Sequence, residues 1–94
     1  MSLSFIVPAY NSSKTINKVI DEIKAAISYV KIDYEIVIID DCSVDNTYQL
    51  LQNIKEKNTN VQIIRNNSNK GFCKSFFIGV NKSNKELAPN LLAP

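Results

Sequence analysis

Continuous apolar runs alternate along this chain with runs in which an apolar residue recurs every three or four positions. The runs at residues 3–7 and 34–39 are typical of strands buried on both faces of a sheet, and a shorter run at residues 61–64 indicates a third strand. The second run ends on two adjacent carboxylates, Asp40 and Asp41. The pattern therefore predicts three strands, one of which places two acids at its end.

The periodic runs between and after these strands predict three helices. The first follows the cap oxygens of residues 11–13, and its apolar stripe consists of Ile16, Val19, Ile20, Ile23 and Ile27. The second helix is expected to begin near Ser43, with Asp45 in its first turn. The third is expected to begin at Gly71 and to pack four apolar side chains on the core. These are Phe72, Phe76, Phe77 and Val80.

The order β-α-β-α-β-α predicts the α/β fold class, with a Rossmann-like three-layer parallel sheet and right-handed crossovers. Residues 1–86 form one domain in this prediction. Residues 87–94 form an irregular tail, because two prolines in six residues disfavour a central strand. A three-stranded sheet would leave an open edge, which favours a homo-oligomer through that edge and suggests the first part of a longer fold.

Composition narrows the classes of partner and the location. The net charge of +2, from 11 basic and 9 acidic residues, is mild and the lysines are dispersed, so nucleic acid is not the expected partner. Two cysteines, Cys42 and Cys73, without any histidine form neither a disulfide framework nor a zinc site. A reducing, cytoplasmic location is favoured, which includes the inner face of a membrane. No apolar run approaches the roughly 18 residues of a membrane span.

Ligands of open parallel sheets bind beyond the carboxyl ends of the strands. The turns expected there are residues 8–13, 40–45 and 66–71. The first turn lacks glycine, which excludes a dinucleotide or Walker-type phosphate site. Tyr10 and Asp41 together suit a flat heterocycle with an N–H donor. Helix capping by the two acids, edge packing of Tyr10 and metal binding by Asp40 or Asp41 stay open as alternatives.

Three motifs in order resemble those of the family 2 inverting glycosyltransferases, which have the GT-A fold. The motifs are IVPAYN at residues 6–11, EIVIIDDCSVDNT at 35–47 and NKGF at 69–72, and the resemblance covers roughly residues 3–85. It implies that the partner is a nucleotide-sugar donor, a UDP- or GDP-sugar, bound across the ends of the first two strands. The chain is thus expected to be the nucleotide-binding part of a glycosyltransferase of the hexosyltransferase type.

The resemblance also implies roles for individual residues by their position. It implies six nucleotide-binding residues, namely Pro8, Tyr10, Asp40, Asp41, Lys70 and Gly71. Pro8, Tyr10 and Asp41 would line the base pocket, with Asp41 accepting from the base N–H. Asp40 and Asp45 would shape the turn beneath it, while the loop containing Lys70 would face the nucleotide.

The chain also departs from the family pattern. A second glycine and an Arg-Asn pair in many relatives are replaced here by Cys73, Phe76 and Phe77. The metal-binding Asp-x-Asp, expected shortly after Glu86, and the catalytic base are absent. Mg²⁺ or Mn²⁺ is expected for the full-length family, yet no metal or catalytic residue is assignable here. We therefore expect a truncated, inactive enzyme portion, or alternatively a non-catalytic nucleotide-binding or protein-interaction module.

Overall fold

The protein is described by a computed structural model that covers residues 2–83 and 86–87. It contains four strands, β1 (Ser2–Ala9), β2 (Asp33–Asp40), β3 (Val61–Arg65) and β4 (Glu86–Leu87). They form one sheet in the order β3-β2-β1-β4, and every pair is parallel. The three strands predicted from the apolar runs are confirmed. Strand β2 is buried along most of its length, whereas β3 is an edge strand in which only Val61 is buried.

Three helices cover the two faces of this sheet. They are α1 (Ile16–Ile27), α2 (Thr47–Lys57) and α3 (Phe72–Lys82). The core between the sheet and the first two helices includes Ile20, Ile38 and Leu51, whereas α3 packs Phe76 and Val80 on a separate apolar cluster. The predicted three-layer α/β architecture is therefore confirmed. None of the helices in the described part of the chain has the length and apolarity needed to cross a bilayer.

Strand β2 lies at the centre of the sheet, and its register positions the candidate site. Its residues Ile36 to Ile39 are completely buried, since β1 and β3 flank the strand and helices cover both faces. The β1 and β2 strands run in register up to the pair Ala9 and Asp40. The turns that follow these two strands therefore begin side by side at one edge of the sheet.

The first two helices begin later than the sequence predicted. Helix α1 begins at Ile16 without a side-chain cap from residues 11–13. Helix α2 begins at Thr47, so Asp45 precedes the helix and accepts a hydrogen bond from the Thr47 N–H at 2.9 Å. The predicted start near Ser43 is wrong because that hydroxyl is used in the turn, where it donates to the Asp40 carboxylate.

Helix α3 turns small residues toward the sheet, which changes the predicted role of two phenylalanines. A Cβ on Gly79 would overlap the side chain of Ile39 and lie 2.6 Å from Cγ2 of Ile6, so glycine permits this close approach of helix and sheet. Phe76 packs on the core as predicted. Phe72 and Phe77 are 70% and 65% exposed, and the prediction that they pack on the core is wrong. The buried stripe passes through Ser75 and Gly79 instead.

A short fourth strand was not predicted from the sequence. Glu86 and Leu87 of β4 pair with Leu3 and Ser4 of β1, so Leu87 belongs to a strand and not to an irregular tail. Two residues are too few to produce a recognisable apolar run. Residues 88–94 of the predicted tail lie outside the described residues, and a homo-oligomer through the sheet edge stays a prediction.

Candidate functional site

The turns that follow β1 and β2 are bound to each other by reciprocal hydrogen bonds. The backbone N–H of Asn11 donates to Ser43 Oγ at 2.9 Å, and Asn11 Oδ1 accepts from the Val44 N–H at 2.9 Å. Asn11 has a φ of 48°, a left-handed conformation in which asparagine is enriched among non-glycine residues. These contacts hold Tyr10, the preceding residue, at a defined position beside the turn that contains Asp41.

Asp41 connects the end of β2 to the loop that precedes α3. Its Oδ1 accepts hydrogen bonds from Asn66 Nδ2 at 2.9 Å and from the Lys70 N–H at 2.7 Å, and its Oδ2 accepts from the Gly71 N–H at 2.9 Å. The residue is only 7% exposed. Asn66 Nδ2 also donates to Ser75 Oγ at 3.0 Å, so a residue of α3 joins the same network. The carboxylate therefore holds the first residues of α3 against the sheet edge.

The hydrogen bonds to Asp41 favour its ionised form. Burial raises the pKa of this carboxyl, but the donors on Asn66, Lys70 and Gly71 together outweigh burial and leave the pKa below its ordinary value. The Ser75 hydroxyl of α3 lowers the pKa of Asp41 in the same direction. Asp41 is therefore negatively charged at neutral pH.

Acid should weaken the fold through Asp41. Because the pKa of Asp41 is lower in the folded than in the unfolded chain, its contribution to the free energy of unfolding is present above about pH 4 and is lost as pH falls through the folded pKa. Asp45, whose pKa is lowered by the Thr47 hydroxyl, acts in the same direction. Urea denaturation at a series of pH values between 7 and 2.5 measures this loss of unfolding free energy.

The matched variants for this pH experiment are Asp41→Asn and Asp21→Asn. Both remove one carboxylate, but Asp21 is exposed on α1 while Asp41 is buried. The Asp41→Asn chain should be less stable at pH 7 and should lose less stability on acidification than the unmodified chain, whereas the Asp21→Asn chain should follow the unmodified chain. Equal acid sensitivity of the Asp41→Asn chain and the unmodified chain would contradict the role given to this carboxylate.

Asp40 lies beneath the turn and does not contact solvent. Its side chain is fully buried, and its Oδ1 accepts from the hydroxyl and the backbone N–H of Ser43. Its Oδ2 lies 3.5 Å from Nε of Arg65, the last residue of β3. The Arg65 guanidinium also donates to the Ser43 carbonyl at 3.3 Å and lies 4.5 Å from the centre of the Tyr48 ring. Asp40 and Arg65 therefore support the turn from below.

A cavity of about 140 Å³ opens at this edge of the sheet. It is lined by Pro8, Ala9, Tyr10, Asp41, Phe72 and Ser75. The structure thus brings together Pro8, Tyr10 and Asp41, as the resemblance implied, while Lys70 and Gly71 adjoin them through backbone bonds to Asp41. Asp40 does not line the cavity, so a direct contact of its side chain with a nucleotide does not fit. Whether any of these residues binds nucleotide stays a prediction.

Sequence reasoning missed several residues of this site. Asn66 lies in the turn at residues 66–71 that the sequence placed at this edge, but its bond to Asp41, which spans 25 residues, was not predicted. Ser75 is a polar residue on the buried stripe of α3, which is a second available signal. Phe72 belongs to the NKGF motif but was predicted to be a core residue of α3. Arg65 carried no signal, because a cation at the end of a strand has many ordinary explanations.

The described residues do not fit a divalent cation. Residues 2–83 contain no group of three or more acidic or cysteine side chains close enough to hold a metal. Asp41 accepts from N–H groups at both oxygens, and Asp40 is paired with Arg65. Oxygen ligands for Mg²⁺ or Mn²⁺ need free lone pairs directed at the ion. No catalytic step that depends on a metal is assigned to these residues.

Comparison with solved structures identifies the class of fold. The chain superimposes on residues 1–349 of Staphylococcus aureus TarS in complex with UDP-GlcNAc with a TM-score of 0.76 and 30% identity, over 89% of this chain and 24% of that TarS fragment. A Pyrobaculum calidifontis mannosyltransferase in complex with GDP-Man and Mn²⁺ superimposes with a TM-score of 0.79 at 20% identity, which shows the fold alone. The fold is that of the GT-A glycosyltransferases.

The sequence comparisons identify the family. The profile of glycosyl transferase family 2 matches residues 4–88, and the chain belongs to this family. It is 38% identical over 69 residues to the S. aureus poly(ribitol-phosphate) β-N-acetylglucosaminyltransferase TarS, which covers 72% of this chain and 12% of that protein. It is 35% identical over 71 residues to a Bacillus spizizenii poly(ribitol-phosphate) β-glucosyltransferase. This match covers 76% of this chain and 11% of that protein. The chain thus spans only about an eighth of these curated relatives.

Proposed function

We propose that this chain binds the nucleotide of a nucleotide-sugar donor from which a sugar is transferred to an acceptor. The observation that supports this most is the cavity at the carboxyl edge of β1 and β2, where Tyr10, Pro8 and an ionised Asp41 meet. An aromatic ring beside a charged acceptor in a small concave site suits a planar base that carries an N–H group.

Within this proposal, the base is uracil. Uracil carries a single ring N–H between two carbonyl groups, which suits one carboxylate acceptor at the cavity. A cavity of about 140 Å³ is smaller than the roughly 300 to 1,000 Å³ typical of complete ligand pockets, which favours a one-ring base over guanine. The similar TarS structures in complex with UDP and with UDP-GlcNAc support the same choice.

The diphosphate and the sugar would extend out of this cavity. In the proposed enzyme, a divalent cation would offset the charge that develops on the leaving diphosphate, and a carboxylate would take the acceptor proton. The described residues contribute donor recognition, and we propose that the 94-residue chain by itself transfers no sugar. A cytoplasmic location is part of the proposal, in agreement with two free cysteines among the described residues.

Titration of the chain with UDP and GDP, followed by backbone amide NMR shifts, tests this function. UDP should shift the amides of residues 9–12 and 41–44 with a millimolar Kd, and GDP should bind more weakly. Tyr10→Ala should weaken UDP binding roughly tenfold, because base stacking on an aromatic ring contributes about 1–3 kcal/mol. Tyr29→Ala removes an equally large ring that is 90% exposed on another part of the surface, and it should bind like the unmodified chain.

A failure to bind either nucleotide would favour the alternative function, a protein-interaction module. If neither nucleotide shifts these amides at millimolar concentration, the cavity does not bind a donor in this chain. The interpretation as a protein-interaction module that retains the family fold would then be preferred.

A further inference from the structure

We propose that Phe72 is a second aromatic wall of the base cavity and stacks on the base of the donor. This inference rests on the proposed nucleotide binding. Phe72 lines the cavity together with Tyr10 and Asp41, although the sequence pattern predicted it to be a core residue of α3. Its ring is 70% exposed, so a large apolar surface is available beside the carboxylate that would receive the base N–H.

The backbone couples Phe72 directly to the recognition carboxylate. Asp41 Oδ2 accepts the N–H of Gly71, which immediately precedes Phe72 and has a φ of 88°. This conformation is strained for residues with a Cβ, so glycine allows α3 to begin where it does. The same carboxylate that would bind the base therefore fixes the start of the helix that carries Phe72.

The side chain of Phe72 is also held in place from within the helix. Its ring stacks on that of Phe76, with centroids 6.4 Å apart and an interplanar angle of 11°. Phe76 packs on the buried cluster of Ile6, Val37 and Ile39. An exposed ring that rests on a core residue loses little conformational freedom when a ligand binds, which is the condition for efficient stacking. The structure thus presents a pre-oriented aromatic surface at the cavity.

Phe77 offers a matched control on the same helix. It is a phenylalanine of similar exposure, 65%, and it also contacts Phe76, at 6.1 Å between ring centroids. It does not line the cavity. Removal of either ring therefore has a comparable effect on helix packing, whereas only Phe72 is positioned to contact a base.

The experiment is an amide NMR titration with UDP of four chains: unmodified, Phe72→Ala, Phe72→Tyr and Phe77→Ala. We expect Phe72→Ala to weaken UDP binding roughly 5- to 100-fold, the range given by loss of one stacking ring. Phe72→Tyr, which keeps the flat ring, should bind within about threefold of the unmodified chain. Phe77→Ala should bind unchanged. Amide shifts of residues 41 and 71 in the free variants report any structural change.

The outcomes separate this inference from the proposed function. If UDP fails to bind the unmodified chain, the proposed function fails and the inference falls with it. If UDP binds and Phe72→Ala has unchanged affinity, the inference alone is overturned. It is also overturned if Phe72→Tyr does not restore binding, since a structural role would then explain the loss. Phe72 also lines a larger cavity beside β1, so a change in sedimentation without a change in affinity would assign it to a polypeptide contact instead.

Discussion

Replacement of Arg65 by methionine should destabilise the chain by about 1–3 kcal/mol. The side chain of Asp40 is fully buried, and within the described structure its Oδ2 makes no hydrogen bond; the ion pair with Arg65 Nε at 3.5 Å is the contact that offsets its charge. The Arg65 side chain is 43% exposed, so the loss is that of a buried acceptor left without its partner, about 1–3 kcal/mol, and not that of a fully buried ion pair. Domains of this length have total stabilities of roughly 5–15 kcal/mol, so the change should be easy to measure.

Urea denaturation of Arg65→Met, of Lys55→Met and of the double variant Arg65→Met/Asp40→Asn measures this effect. Lys55 is exposed on α2, and its removal should change stability by less than about 1 kcal/mol. The double variant should recover part of the lost stability, because the buried charge is no longer present. If Arg65→Met is as stable as Lys55→Met, the ion pair does not support the turn as described.

Replacement of Asp41 by alanine should impair both the fold and nucleotide binding. The carboxylate receives N–H groups of Asn66, Lys70 and Gly71 and so holds the loop that precedes α3 against the end of β2. Loss of charge-assisted bonds of this kind costs roughly 1.5–3 kcal/mol of stability. The lost bond to the base should weaken UDP binding about ten- to a hundredfold.

Asn66→Ala separates these two effects. It removes one anchor of the same network but leaves the Asp41 carboxylate to accept the base N–H. It should therefore lower stability and keep UDP affinity within about threefold of the unmodified chain. Amide NMR at a temperature where all variants are folded gives the affinities. UDP binding by Asp41→Ala with unchanged affinity would show that this carboxylate anchors the α3 loop and does not recognise the base.

The parts of the fold that were predicted correctly depend on local patterns. Strand β2 was recognisable from Ile36 to Ile39, because the part of a strand that is buried on both faces must be apolar. The helices were recognisable from their apolar stripes, although α1 and α2 begin later in the chain than the sequence predicted. Pro8, Tyr10 and Asp41 were placed at one edge because parallel strands end together, and that prediction of proximity is confirmed by the cavity they share.

The sequence by itself determined the order of strands and helices, the α/β class and the motifs of glycosyl transferase family 2. Only the tertiary structure decided which polar groups pair. Asp41 contacts the Lys70 N–H across 29 positions and Asn66 across 25, and Arg65 reaches Asp40 from another strand. Such contacts depend on distances between strands and loops that no local pattern encodes. For the same reason Phe72, whose spacing suited the core, lies at the cavity: the approach of Gly79 to Ile39 sets the rotation of α3.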